Sequence, residues 1–168
     1  KNYLMKISRN ELPASDAQRY VEILTFTTNL EHIGDIVDKN LLELAAKKIK
    51  HRYAFSNQGF EEIRDFHARV IANLRLAMNV FATGDVNLAR KLLAEKTALR
   101  DLERRAADSH FARLREGRME SIETSSIHVD LLRDLKRING HLTSVAYQIL
   151  ETAGELTESR LKSDDAEE

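Results

Sequence analysis

Three carboxylates in the segment NLEHIGDIVDKN, Asn29 to Asn40, have the spacing that metal chemistry would need. Glu31, Asp35 and Asp38 lie four and three residues apart, so on a helix advancing about 100° per residue they share one face. Hard cations prefer clustered carboxylate oxygens, and two carboxylates one turn apart can share one ion. Glu31, Asp35 and Asp38 are therefore candidate ligands for a divalent cation or an iron-type ion. The same pattern describes an ordinary solvated face paired with lysines, and residue types alone favour that plainer reading. Leu30, Ile33, Val37, Leu41 and Leu44 fall a third of a turn or more away, so the acids flank a core-facing stripe. Gly34 beside them would let another helix or a ligand approach closely.

Other groupings carry less chemistry. Asp130, Asp134 and His141 share a face, but Arg133 and Arg137 stand among them and would neutralise the acids as surface pairs. His32, His51, His67, His110, His128 and His141 show no His-x-x-x-His or His-Glu-x-x-His pattern, and most are expected on the surface. A ferritin-like di-iron bundle would need two Glu-x-x-His motifs, and the chain has none. The glycines are isolated, with no phosphate-cradling loop for a nucleotide. There is no cysteine for thiolate or disulfide chemistry. No catalytic residue is expected. Thr124, Ser125 and Ser126 are read as the cap of the last helix, with anion binding at its free amides as the alternative. Arg100, Arg104, Arg105, Arg113, Arg115 and Arg118 are interleaved with Asp101, Glu103, Asp108 and Glu116, which reads as a salt-bridged surface or a face toward anionic lipid.

These residues must sit on helices. The 168 residues include six glycines and one proline and are 42% hydrophobic, the composition of one all-α domain with its own core. The balance of 26 basic and 27 acidic side chains gives no basic face for nucleic acid. No stretch is long and apolar enough to span a bilayer. Apolar Tyr3, Leu4, Ile7 and Leu12 suit the end of a helix interrupted at Pro13. Ser15 or Asp16 then caps a helix reaching about Ile49. After a connection over 50–59, Ser56 caps a helix with the stripe Phe60, Ile63, Phe66, Val70, Leu74, Ala77 and Phe81, ended by Gly84. Asp85 caps the next, through Leu88, Leu92, Leu99, Leu102, Ala106 and Leu114 to about Gly117. A last helix begins near Ser121 or Thr124 and runs through Val129, Leu132, Leu135, Ile138, Leu142, Val145 and Ile149 to Leu156. Short connections make the whole an antiparallel bundle of long helices. Residues 163–168 form an acidic tail expected to be disordered.

A weak internal repeat relates the two halves. NLEHIGDIVDKNL lies on DLKRINGHLTSVA at an offset of 105 residues, with Leu30 on Leu135 and Ile33 on Ile138. The single domain, 1–162, then reads as the end of one three-helix unit, 1–50, followed by a complete second unit, 56–160. LEHIGD, from Leu30 to Asp35, resembles the Glu-x-x-x-Asp signature in the third helix of each PhoU repeat. Together with FSNQGF, TSSIHVDLLRDLKRING and the closing SRL, it makes the chain similar to the PhoU-type C-terminal region of bacterial sodium/phosphate cotransporters. That resemblance implies PhoU-like three-helix repeats and a regulatory domain at the cytoplasmic face of the cell membrane. Its implied partner is the membrane domain of a sodium-dependent phosphate transporter in the same polypeptide, whose phosphate uptake it would modulate. It also implies metal binding at Glu31 and Asp35. The alternatives are a dimerising interaction module or a free-standing PhoU-type regulator. Lys136 and Gly140 stand where the second repeat should carry its glutamate and aspartate, so one family-type metal site is expected rather than two.

Overall fold

The computed structural model describes residues 13–155, and within them every regular element is helical. The expected helix end over 1–12 and the tail 163–168 lie outside the described residues. Helix α1 spans Ala14–Asp35 and passes without a break through a π-helical segment, Ile36–Leu41, into α2, Leu42–His51. Three further long or short helices and a final long one follow: α3, Asn57–Thr83; α4, Val86–Arg115; α5, Met119–Glu123; and α6, Ser125–Thr152.

Helices α3, α4 and α6 pack against one another along their lengths, and α1 lies antiparallel on α6. The α1 orientation follows from contacts that step in opposite directions: Gln18 meets Thr152, Asn29 meets His141, Asn40 meets Asp134 and Lys47 meets Ser126. The core is drawn from heptad-like lines: Phe66, Val70, Ala77 and Val80 on α3, Leu92, Leu99 and Ala106 on α4, and Leu135, Leu142 and Val145 on α6. Phe26 of α1 closes one end by stacking on Phe81, with ring centroids 4.1 Å apart. Midway, Asn73 donates a 2.8 Å hydrogen bond to Asn139, so two buried amides satisfy each other between α3 and α6.

The helix boundaries follow local chemistry. Ser56 Oγ accepts from the Gly59 amide, and Asp85 Oδ1 accepts from the amides of Asn87 and Leu88, as their cap assignments require. Gly84 and Gly117 turn the chain at φ 65° and 70°, a region that favours glycine. Two expectations fail. Pro13, rather than Ser15 or Asp16, holds the cap position of α1. Thr124 holds that of α6 without a side-chain bond to its amides, and its hydroxyl is turned back to donate to the Glu120 carbonyl at 2.6 Å. Ser125 and Ser126 are likewise engaged elsewhere, with His110 and Lys47.

The π segment is the main departure from expected periodicity. Its hydrogen bonds span five residues, so the core-facing positions run Ile33, Ile36, Leu41. Ile36 is buried, whereas Val37, placed on the core stripe by α-helical counting, is 43% exposed.

Candidate functional site

The structure keeps Glu31 and Asp35 on the exposed side of α1, and Asp38, also exposed, on the π segment. Asp35 pairs with Lys39 at 3.0 Å. Each step of a π turn rotates less than an α-helical step, so Asp38 falls short of the face shared by Glu31 and Asp35. Among the described residues no three His, Asp or Glu side chains are grouped so as to hold a metal ion. The acids present here therefore do not by themselves fit a closed site, and a cation at Glu31 and Asp35 would need oxygen ligands from elsewhere. A Cβ added to Gly34 would have nothing within 4 Å, so its close-approach role is not used by the described residues.

Beside the stripe, α1 and α6 share a polar seam. His141 Nδ1 lies 2.8 Å from Asn29 Oδ1, its ring sits 5.2 Å from that of His32, and Asn40 donates to Asp134 at 3.2 Å. Burial, then the neighbouring His32 and Arg137, lowers the pKa of His141. The expected neutralisation of the second acidic face is present: Arg133 pairs with Asp130 and Arg137 with Asp134, both at 2.9 Å. Asp134 is not a surface group, however, being only 1% exposed.

A second constellation follows no local sequence motif. At the end of the bundle where α3 and α6 begin and α4 finishes, Arg113 holds Glu62 through two parallel bonds of 2.7 and 2.8 Å. His128 Nε2 lies 3.1 Å from Glu62 Oε2 but off the hydrogen-bonding direction, so neither His128 ring nitrogen has a well-aligned partner. The His110 ring stacks on that of His128 at 4.7 Å, and His110 Nε2 is 2.9 Å from Ser125 Oγ. Gly59 makes room: a Cβ there would come within 3.2 Å of Ser56 Oγ and 3.6 Å of the His128 ring. Burial pushes the Glu62 carboxyl upward, but His128, Arg113 and Ser109 outweigh it and hold its pKa at about 2. Burial, followed by the charges of His128 and Arg113, lowers the His110 pKa against a smaller opposing effect of Glu62. An ionised carboxylate locked on a guanidinium anchors three helix ends. It is not poised as a base near neutral pH.

Two expectations are corrected here. His110 and His128 are buried rather than superficial, and Arg113 belongs to the interior rather than to the salt-bridged surface. The signal lay in the heptads. Leu92, Leu99, Ala106 and Arg113 follow at steps of seven on α4, and His128, Leu135 and Leu142 do so on α6.

Most of the α3–α4–α6 bundle, from Ile63 on α3 to Ile149 on α6, is matched by the family model of the PhoU domain, residues 63–149, a stretch that begins one residue after Glu62 and leaves out the acidic stripe. The chain belongs to the PhoU domain family. It is 42% identical over 151 residues to the "Putative inorganic phosphate export protein YjbB" of Salmonella typhimurium strain LT2, covering 90% of this chain and 28% of that protein. It is 41% identical over 155 residues to the protein of the same name from Escherichia coli strain K12, covering 92% and 28%. The chain thus spans less than a third of the length of these relatives. No solved structure matches it significantly. No helix among the described residues is long and apolar enough to cross a membrane.

Proposed function

We propose that this PhoU domain is a non-catalytic regulator of phosphate movement across a membrane, acting from the cytoplasmic face on a transport unit in the same polypeptide. The observation that carries the reading is the PhoU match over the α3–α4–α6 bundle, joined to relatives named for inorganic phosphate export over about nine-tenths of the chain. Regulation by contact requires that the transport unit favour one packing of these helices over another. The sequence resemblance suggests sodium-coupled uptake, whereas the relatives' name favours export, so both are measured together. Efflux and uptake of radiolabelled phosphate are followed in cells expressing the full-length polypeptide with and without this domain, in sodium and in potassium buffers. A several-fold change in flux on removing the domain is expected. Unchanged flux would overturn the regulatory reading, and flux indifferent to sodium would overturn the coupling.

A divalent or iron-type ion at Glu31 and Asp35, without Asp38, is part of the same proposal. It requires further ligands supplied by the full-length polypeptide or a partner chain. Metal content of the full-length protein purified without chelator should fall in Glu31→Ala and Asp35→Ala, and equal metal in all three proteins would remove the site. A dimerising module is the second reading. It is favoured by Val21, Val37, Leu42 and Ile49, which are between 43% and 74% exposed on α1, the π segment and α2. Sedimentation velocity distinguishes it, with a monomer at tens of micromolar counting against it.

A further inference from the structure

We infer that the groove between α4 and α6 binds an inorganic oligophosphate, an anion with two or more linked phosphoryl groups. The groove has a volume of about 670 Å³ and is lined by Lys96 and Arg100 on one wall and by Arg133, Lys136 and Arg137 on the other. Small-molecule sites occupy roughly 300–1,000 Å³, so this is ligand-sized.

The charges are unevenly compensated. Lys136 is paired with Glu103 at 2.6 Å, Arg133 with Asp130, and Arg137 with Asp134. Lys96 and Arg100 have no carboxylate within ion-pair distance among the described residues; Lys96 instead donates to Tyr147 Oη at 3.1 Å. The groove therefore retains an excess of positive charge even with Glu103, Asp130 and Asp134 counted. Arg133 and Lys136 are about half exposed and can turn toward an anion, and Arg137, also half exposed, holds the buried Asp134 through Nη1 and keeps its other N–H groups for the groove.

The layout selects the ligand. Lys96 and Arg100 stand one helical turn apart, as do Arg133 and Arg137 on the facing helix. Three guanidinium forks and two ammonium groups in two rows offer more donors, over a longer span, than one phosphoryl group can accept. A linked pair or chain of phosphoryl groups can engage both rows. Tyr147 is the aromatic side chain of the lining, and its hydroxyl end is held by the Lys96 ammonium, 5.0 Å from the ring centroid.

The glycine in the lining points the same way. Gly140 sits in mid-helix, exposed, at an ordinary backbone conformation, and a Cβ there would meet nothing within 4 Å. Helix packing does not require this glycine, yet it leaves the groove open. At the repeat offset Lys136 and Gly140 replace Glu31 and Asp35. The face that is acidic in the first unit has become cationic in the second.

Calorimetric titration of the 168-residue chain with tripolyphosphate, orthophosphate and ATP, in magnesium-free buffer at constant ionic strength, tests the site. Tripolyphosphate is expected to bind at least tenfold more tightly than orthophosphate and no more weakly than ATP. Lys96→Ala combined with Arg100→Ala should weaken it at least tenfold. Gly140→Leu, which keeps every cation and improves helix propensity, should do the same by filling the open space beside Gly140. Arg104→Ala, outside the groove, should leave binding unchanged. Thermal melts confirm that each variant is folded. The proposal fails if tripolyphosphate does not bind, if orthophosphate matches it, or if ATP exceeds it tenfold. It also fails if the Arg104→Ala loss equals that of the double variant, or if Gly140→Leu binds like wild type.

Discussion

Replacing Glu62 with glutamine leaves the volume of the side chain and removes one charge from a buried pair. Arg113 is 3% exposed at its side chain and Glu62 15%, so little solvent screens the interaction. The folded-state carboxyl titrates at about 2 against an ordinary value of 4.5. At about 1.36 kcal/mol per pKa unit, that difference is worth roughly 3 kcal/mol. Removing one partner from a buried pair costs about 3–5 kcal/mol by the independent route of mutational experience. Glu62→Gln should therefore lose about 3 kcal/mol at pH 7, or roughly 6–12 °C in melting temperature for a chain of this size.

The sign with pH gives the decisive control. Because the folded carboxyl titrates below the unfolded one, the unfolded chain takes up the proton first as pH falls. The stability contributed by Glu62 is complete above about 4.5 and drains away toward pH 2. Urea unfolding followed by far-ultraviolet circular dichroism, at pH 7, 4 and 2.5, should show the gap between wild type and Glu62→Gln closing as acid is added. A gap under about 1 kcal/mol at pH 7, or one that persists unchanged at pH 2.5, would refute the argument that Arg113 and His128 hold the carboxylate ionised.

The histidines give a second acid limb. Both His110 and His141 have lowered pKa values in the fold, so the unfolded chain binds their protons first and stability should fall as pH drops below about 6.5. His110→Gln and His141→Gln should each flatten the urea midpoint between pH 7.5 and 5.5, and an unaltered slope in both would sink the assignment. Two glycines should respond oppositely to alanine. Gly34→Ala should stabilise by about 0.5–1 kcal/mol because its helical site is open, and Gly84→Ala should destabilise by about 1 kcal/mol because φ is 65° there. Thermal melts check both, and changes of the same sign would contradict the backbone argument. Asp85→Ala should cost about 1 kcal/mol by releasing the Asn87 and Leu88 amides, read from the same melts.

The helices and their order were legible because apolar spacing and turn residues agree. Ser56, Gly84, Asp85 and Gly117 each mark a boundary that the structure keeps. The polar interior was not legible, because residue type misled where position did not. Residue type alone assigns Arg113 and His128 to the surface, although the heptads running through Leu99 and Leu135 point them inward. Glu62 could not be assigned at all, since its partner is 51 residues away on another helix. The acidic stripe was legible as a pattern. Its three-dimensional form was not, because nothing in IVDKNL announces a π turn.

That turn decides how far the repeat can be carried. Sequence offset treats α1 and α6 as equivalent helices, but α6 continues with α-helical geometry where the first unit widens at Ile36–Leu41. Glu31 and Asp35 precede the widening and retain the face predicted for them, whereas Asp38 follows its start and rotates away. Two carboxylates, not three, therefore remain in register for any shared cation. The same turn lets Leu41 face inward five residues after Ile36 and brings Asn40 to the buried Asp134. Straightening it would return Val37 to the core line but break the Asn40 bond, leaving Asp134 to Arg137 at 2.9 Å and to Arg133 at 3.9 Å. The π turn thus sets both the face of Asp38 in the first unit and the Asn40 bond to a buried carboxylate in the second. Through Arg133 and Arg137, the same carboxylate touches the wall of the cationic groove.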